Sequence, residues 1–228
     1  RAYQNGWIDG FDMAGDEGRG TLKDFSYLYF EAKRRGIPTT SHAGERKLDV
    51  DDPYQDIFWA LMLDVERIGH GTRVFDNNEL AQLLLAQTIK MRKIVEVSLT
   101  SNLWTGIVPK DLAEHPFVKF LYKIIENPDA VVYDIDGQPQ YLRDLNYVIC
   151  DDDPHITGTV DQELLKLAAV LPSNQKQIQL KDIIANAYTA AAEFPRRTLW
   201  KVGLHNPIMA HRITYNQQHQ AIETLYGH

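Results

Sequence analysis

The chain of 228 residues is poor in cysteine, with Cys150 its only one. No internal disulfide can form, which favours a reducing, cytoplasmic setting. Positive charge is also short. The 24 Lys and Arg are outnumbered by 31 Asp and Glu, giving a net charge of -7. That argues against a basic nucleic-acid-binding surface. No apolar stretch reaches the length of a membrane span, and no signal-like segment follows Arg1. Because Arg1 rather than methionine comes first, the chain reads as a fragment or a processed product. Linkers, internal repeats and low-complexity tracts are lacking, so residues 1–228 read as one unit. His-x-His occurs nowhere.

What is present is an ordinary apolar content of 44%, enough for a sizeable core. Its periodicity alternates between strand and helix. Trp7 to Ala14 reads as a strand closed by the loop signal Gly15-Asp16-Glu17-Gly18. Leu22 to Arg35 has helical spacing, with Leu22, Phe25, Leu28, Tyr29 and Ala32 on one face, and Gly36 and Pro38 stop it. Thr39 to His42 is a short strand. Tyr54 to Glu66 is helical, with Ile57, Phe58, Leu61 and Val65 inward. Arg67 to Gly69 is a strand, Asn78 to Arg92 a helix with an Asn cap, and Ile94 to Leu99 a strand ending at Thr100-Ser101-Asn102.

Leu112 to Ile125 is helical with Pro116 early in it. Asp134 to Pro139 carries the turn signature of a small hairpin. Tyr147 to Cys150 suits a strand buried on both faces. Helical patterns follow over Gln162 to Leu171, Leu180 to Phe194 and Ile208 to Leu225. Strands alternating with helices argue a parallel α/β architecture.

Polar clusters close these strands. His42-Ala43-Gly44-Glu45, Arg67-Ile68-Gly69-His70-Gly71 and Cys150-Asp151-Asp152-Asp153-Pro154 each follow a short apolar or β-branched run. Barrel enzymes place their chemistry at such strand ends. His42 and Asp152 have the chemistry of metal ligands, while Glu45 and His70 suit proton transfer. Bland readings stand beside each. Asp-Asp-Asp-Pro is also a good acidic turn. A lone histidine is more often structural, and a lone glutamate more often lies on the surface. Glycines around His70 leave room for a ligand or suit a plain turn, and Gly15 could offer a backbone N–H or simply fill a loop. Cys150 reads as core. No role is assigned to His115, His155, His205, His211, His219 or His228.

The clusters taken in order resemble the adenosine deaminase family of metal-dependent hydrolases. The resemblance is carried by Asp12-Met13-Ala14-Gly15-Asp16-Glu17, Ser41 to Glu45, Arg67 to Gly71, Glu96-Val97-Ser98-Leu99-Thr100-Ser101-Asn102 and Asp152-Asp153-Pro154. It implies a TIM-type (β/α)8 barrel, of which strands four to eight and a C-terminal helical tail lie in this chain. It implies zinc held by His42 and Asp152, and Glu45 protonating a purine ring nitrogen. It implies that His70 orients the attacking water and stabilises developing charge, that Asp153 hydrogen-bonds another ring nitrogen, and that Gly15 offers its N–H to the base. The implied reaction is hydrolytic deamination of adenosine or 2′-deoxyadenosine with release of ammonia, in purine salvage.

Adenine or adenosine monophosphate is the runner-up substrate. A non-catalytic nucleoside-binding module is the other class of reading. The retained Glu45, His70, Asp152 and Asp153 argue against it, since folding does not need them. Base deaminases that bind zinc through Pro-Cys-x-x-Cys are excluded within these residues by the single cysteine. The family's His-x-His ligands and first strands are missing. The expectation is that an N-terminal portion exists, as a separate chain after cleavage or as further sequence, and that ligand binding needs both parts.

Overall fold

A computed structural model describes residues 2–5, 8, 10–17, 19–47 and 52–172. The strand and loop positions expected at Trp7, Asp9 and Gly18, and the helices expected over 180–194 and 208–225, lie outside the described residues.

The first helix, α1 (Ser26–Arg34), is shorter than its periodicity suggests. Thr21 donates its N–H to the Asp24 carboxylate at 3.0 Å, a side-chain turn that competes with helix. Leu22 is fully buried ahead of the helix, its N–H donated to Asp56 Oδ1 at 2.7 Å, and Phe25 is exposed. Strand β1 (Thr40–Ala43) follows, and the Tyr29 hydroxyl of α1 donates to the Thr40 carbonyl at 2.9 Å. Helix α2 (Gln55–Met62) then leads to β2 (Arg67–His70). Ile57, Leu61 and Val65 are buried as expected, whereas Phe58 is exposed, because the apolar stripe is narrower than four residues.

Helix α3 (Glu79–Lys90) starts at the expected cap: Asn78 accepts the Ala81 N–H at 2.9 Å. Strand β3 (Ile94–Val97) stops two residues before the predicted end, and Leu99 opens a short helix, α4 (Leu99–Trp104). The reason is loss of a partner, since Val97 pairs with the last residue of the neighbouring strand. Beyond it the backbone satisfies itself by helical turns, and the buried Glu163 accepts the Thr100 N–H at 2.8 Å.

The expected helix from Leu112 divides at His115. A single turn over Leu112–Glu114 precedes α5 (Pro116–Glu126). Proline lacks an N–H and sits well at the first helical position. Strands β4 (Val131–Tyr133) and β5 (Pro139–Tyr141) form the expected antiparallel hairpin. Asp134 ties its turn by accepting the Asp136 and Gln138 N–H groups. Strand β6 (Asn146–Ile149) and α6 (Val160–Val170) complete the described elements.

Four strands form one parallel sheet in the order β1-β2-β3-β6. Phe11 adds a parallel bridge to Thr39 at the free edge of β1, and His42 donates its N–H to the Met13 carbonyl at 3.0 Å. The predicted strand before Gly15 is therefore an extended run beside β1. Helices cross over between the parallel strands, as parallel pairing requires. Buried apolar side chains from sheet and helices pack into one main core. Among the described residues no helix is long and apolar enough to cross a membrane.

Candidate functional site

Parallel register brings the predicted residues to one end of the sheet. His42 pairs with Gly69 and Ala43 with His70, so the two imidazoles stand on adjacent strands with ring centroids 4.9 Å apart. Gly69 makes room for the first ring: a side chain there would meet His42 Cα and Nδ1 at 3.3 Å. His70 and Gly71 then take two successive left-handed conformations, φ 60 and φ 56. The sharp turn leaves the His70 side chain 2% exposed. A Cβ at Gly71 would lie 2.5 Å from Val95 Cγ1, so any other residue here would have to displace its neighbour.

Glu45 Oε2 stands 3.4 Å from His70 Nε2. Burial raises the Glu45 carboxyl pKa. The neighbouring His70 opposes that shift, and the Asp152 charge adds to it. Glu17 supports this turn from behind, accepting the Glu45 N–H at 2.8 Å and the Gly44 N–H at 3.2 Å. Burial pushes Glu17 itself up to about 7, with the two N–H bonds opposing and the Asp56 charge adding. Gly15 and Glu45 line one cleft of about 410 Å³, together with Asp16, Glu17, Thr105 and Ile107.

Asp152 Oδ1 lies 3.9 Å from His42 Nε2. Asp152 is left-handed at φ 62, a conformation that asparagine and aspartate tolerate better than most residues. Asp153 is exposed, and its Oδ1 accepts the His155 N–H at 3.1 Å. His42, His70 and Asp152 each offer a ligand atom, all within 4.8 Å of one another. The arrangement suits a divalent metal on two counts. Metal–ligand bonds of about 2 Å from an imidazole and a carboxylate span a gap like that between His42 and Asp152. In addition, Asp12 Oδ2 lies 3.3 Å from His42 Nδ1, the ring nitrogen turned away from Asp152. A carboxylate beside the far nitrogen of a ligating imidazole orients the ring.

Sequence reasoning gave no role to four residues that build this site. Asp12 flanks His42, Glu17 holds the Glu45 backbone, and the amide of Asn102 lies 3.0 Å from His70 Nδ1. His115 is fully buried with its Nε2 3.3 Å from the same amide. Asp12, Glu17 and Asn102 stood inside the quoted motifs. For His115 the signal was weak: a histidine directly before a helix-opening proline is a capping position. His155 is exposed, and Cys150 packs against Ile94 and Val148, as expected of a core thiol.

The chain as a whole is similar to known proteins. The family model described as adenosine deaminase matches residues 1–128. An adenosine deaminase of Gallus gallus is 38% identical over 121 residues, 53% of this chain and 31% of the relative. An adenosine deaminase-like protein of Drosophila melanogaster is 28% identical over 193 residues, 82% of this chain and 51% of the relative. An adenine deaminase of Chelativorans sp. is 32% identical over 111 residues, covering 48% and 31%. The chain thus spans 31% to 51% of the length of these relatives.

Among solved structures, an ADAL–IMP complex aligns with a TM-score of 0.54 at 18% identity, over 84% of this chain and 50% of that one. An adenine deaminase of Arthrobacter aurescens aligns at 0.50 and 22% identity, over 79% and 53%. The parallel sheet with its crossover helices is thus part of a TIM-type barrel. With more than half of its residues matched by the family model, the chain belongs to the adenosine deaminase family.

Proposed function

We propose that the protein is a zinc-dependent aminohydrolase that converts adenosine or 2′-deoxyadenosine to the inosine counterpart and ammonia, in purine salvage. The observation that carries this reading is the convergence of His42, Glu45, His70 and Asp152 at the ends of three parallel strands.

His42 and Asp152 would hold the metal, with the remaining ligands supplied from the part of the relatives' length that this chain does not span. Zinc, when bound, lowers the pKa of water enough to make a nucleophile near neutral pH. Burial raises the Glu45 pKa, which suits it to act as the acid toward a ring nitrogen of the purine. His70 orients the attacking water and stabilises developing negative charge. Gly15, in the same cleft as Glu45, presents its N–H to the base, and Asp153 hydrogen-bonds a second ring nitrogen. In this reading Asp153 exchanges the His155 N–H for substrate. The lone Cys150 fits a cytoplasmic setting.

Relatives that are adenine deaminases, and a same-fold protein in complex with IMP, make adenine and adenosine monophosphate the rival substrates. Ammonia release from adenosine, 2′-deoxyadenosine, adenine and AMP by the full-length protein decides among them. No release from any of the four would leave only a nucleoside-binding role.

A further inference from the structure

Phe117 is the fixed point of a buried hydrogen-bond chain that ends at His70. Its backbone N–H can only donate, and it lies 3.1 Å from His115 Nδ1. That nitrogen therefore presents a lone pair. An imidazolium, protonated on both nitrogens, could not accept there, so His115 is neutral. Complete burial and the nearby Arg73 act in the same direction, lowering its pKa to about 3. A neutral imidazole has one proton, and here it must be on Nε2.

The His115 Nε2–H faces the Asn102 carboxamide at 3.3 Å. Asn102 is wholly buried, so a mismatched donor there would be costly. With Oδ1 toward His70 and Nδ2 toward Thr72 and His115, the contact distances are 3.0, 2.7 and 3.3 Å. That orientation sets the amide N–H₂ against another N–H. Turning the carboxamide by 180° exchanges two nearly isosteric atoms and removes the conflict.

We propose that Asn102 accepts from His115 Nε2–H and Thr72 Oγ1–H through its oxygen and donates its N–H to His70 Nδ1, so that the proton of neutral His70 is fixed on Nε2. Asn102 and His115 are then positioning residues, and the helix start at Phe117 sets the tautomer of a ring on another strand. His70 Nε2 becomes a donor rather than a metal ligand or a base, although its position beside His42 and Asp152 would allow ligation. It faces Glu45 Oε2. In the free site a protonated Glu45 accepts from His70 on that oxygen, an interaction that the attacking water replaces, and keeps its own proton on the other, free for substrate. This catalytic consequence rests on the deaminase reading, whereas the tautomer does not.

Long-range proton–nitrogen NMR on full-length protein labelled with ring-¹⁵N histidine tests the chain near pH 7.5, before metal is added. Bare and protonated ring nitrogens have well-separated shifts. The expected spectrum has Nδ1 bare and Nε2 protonated in both His70 and His115. A protonated Nδ1 on His70 overturns the proposal, whatever the enzyme does. In Asn102→Asp the carboxylate can only accept, so His70 Nδ1 should gain a proton while the His115 pattern stays as it was. An unchanged His70 in a folded Asn102→Asp variant also overturns it. If that variant does not fold, the wild-type spectrum still decides. For an active deaminase, Asn102→Asp should lower kcat roughly 10- to 100-fold with little change in KM, because orientation of a reacting group rather than binding is lost. Wild-type protein with a bare His70 Nδ1 but no ammonia release from any aminopurine would support the tautomer and sink the deaminase reading.

Discussion

Glu45 Oε2 and His70 Nε2 stand 3.4 Å apart, although they lie 25 positions apart in the sequence. Their approach follows from β1 and β2 lying side by side in register. If Glu45 is the acid, Glu45→Gln keeps the shape and removes the transferable proton. Turnover should fall roughly 10²- to 10⁴-fold, while bound metal, measured by elemental analysis, stays at the wild-type level. Near-normal ammonia release by the variant would remove Glu45 from the chemistry.

Metal retention should divide the three nearby donors. His42→Ala deletes an imidazole whose Nε2 faces Asp152, and Asp152→Asn removes the anionic ligand. Both variants of the full-length protein should lose zinc on dialysis against a mild chelator. His70→Asn should keep it, because His70 acts on water and Glu45. Zinc loss from His70→Asn as complete as from His42→Ala would make His70 a ligand.

The elements were legible where local chemistry and periodicity agree. The Asn78 cap, the Asp134 hairpin turn and the buried strand before Cys150 stood in the sequence because each is fixed by neighbouring residues. Helix α4 was not legible. Ile94 to Leu99 reads as one β-branched run, and only the end of β6 determines where pairing stops. The site divided in the same way. His42, Glu45, His70 and Asp152 carry recognisable chemistry in short clusters. Glu17, Asn102 and His115 act through partners 28, 32 and 13 residues away, and no local pattern reports such contacts.

Gly71→Ala should be costly for two separable reasons. A methyl group meets Val95 Cγ1 at 2.5 Å, and the backbone sits at φ 56. Overpacking costs about 1–3 kcal/mol and the left-handed conformation about 1–2 kcal/mol more. Urea denaturation of the full-length protein should show a loss of that order. Adding Val95→Ala should recover only the steric share, and a variant as stable as wild type would mean the His70–Gly71 turn readily takes another path.

Glu17 should give the fold a pH dependence of definite sign. Its carboxyl is raised from 4.5 to about 7, chiefly by burial. Between those values the native state holds a proton that the unfolded chain has released. Stability from this group is therefore fully present below about pH 4.5 and is lost as pH rises toward 7. The change amounts to at most about 3 kcal/mol for a shift of this size, and Asp56, whose own carboxyl is raised by burial, shares it. Glu17→Gln cannot titrate. Subtracting its stability from that of wild type at half-unit steps from pH 4.5 to 8 should give a difference that falls with pH and levels off above 7. A difference that rises over that window would mean that Glu17 is ionised beneath Glu45 and that its N–H bonds from Gly44 and Glu45 outweigh its burial.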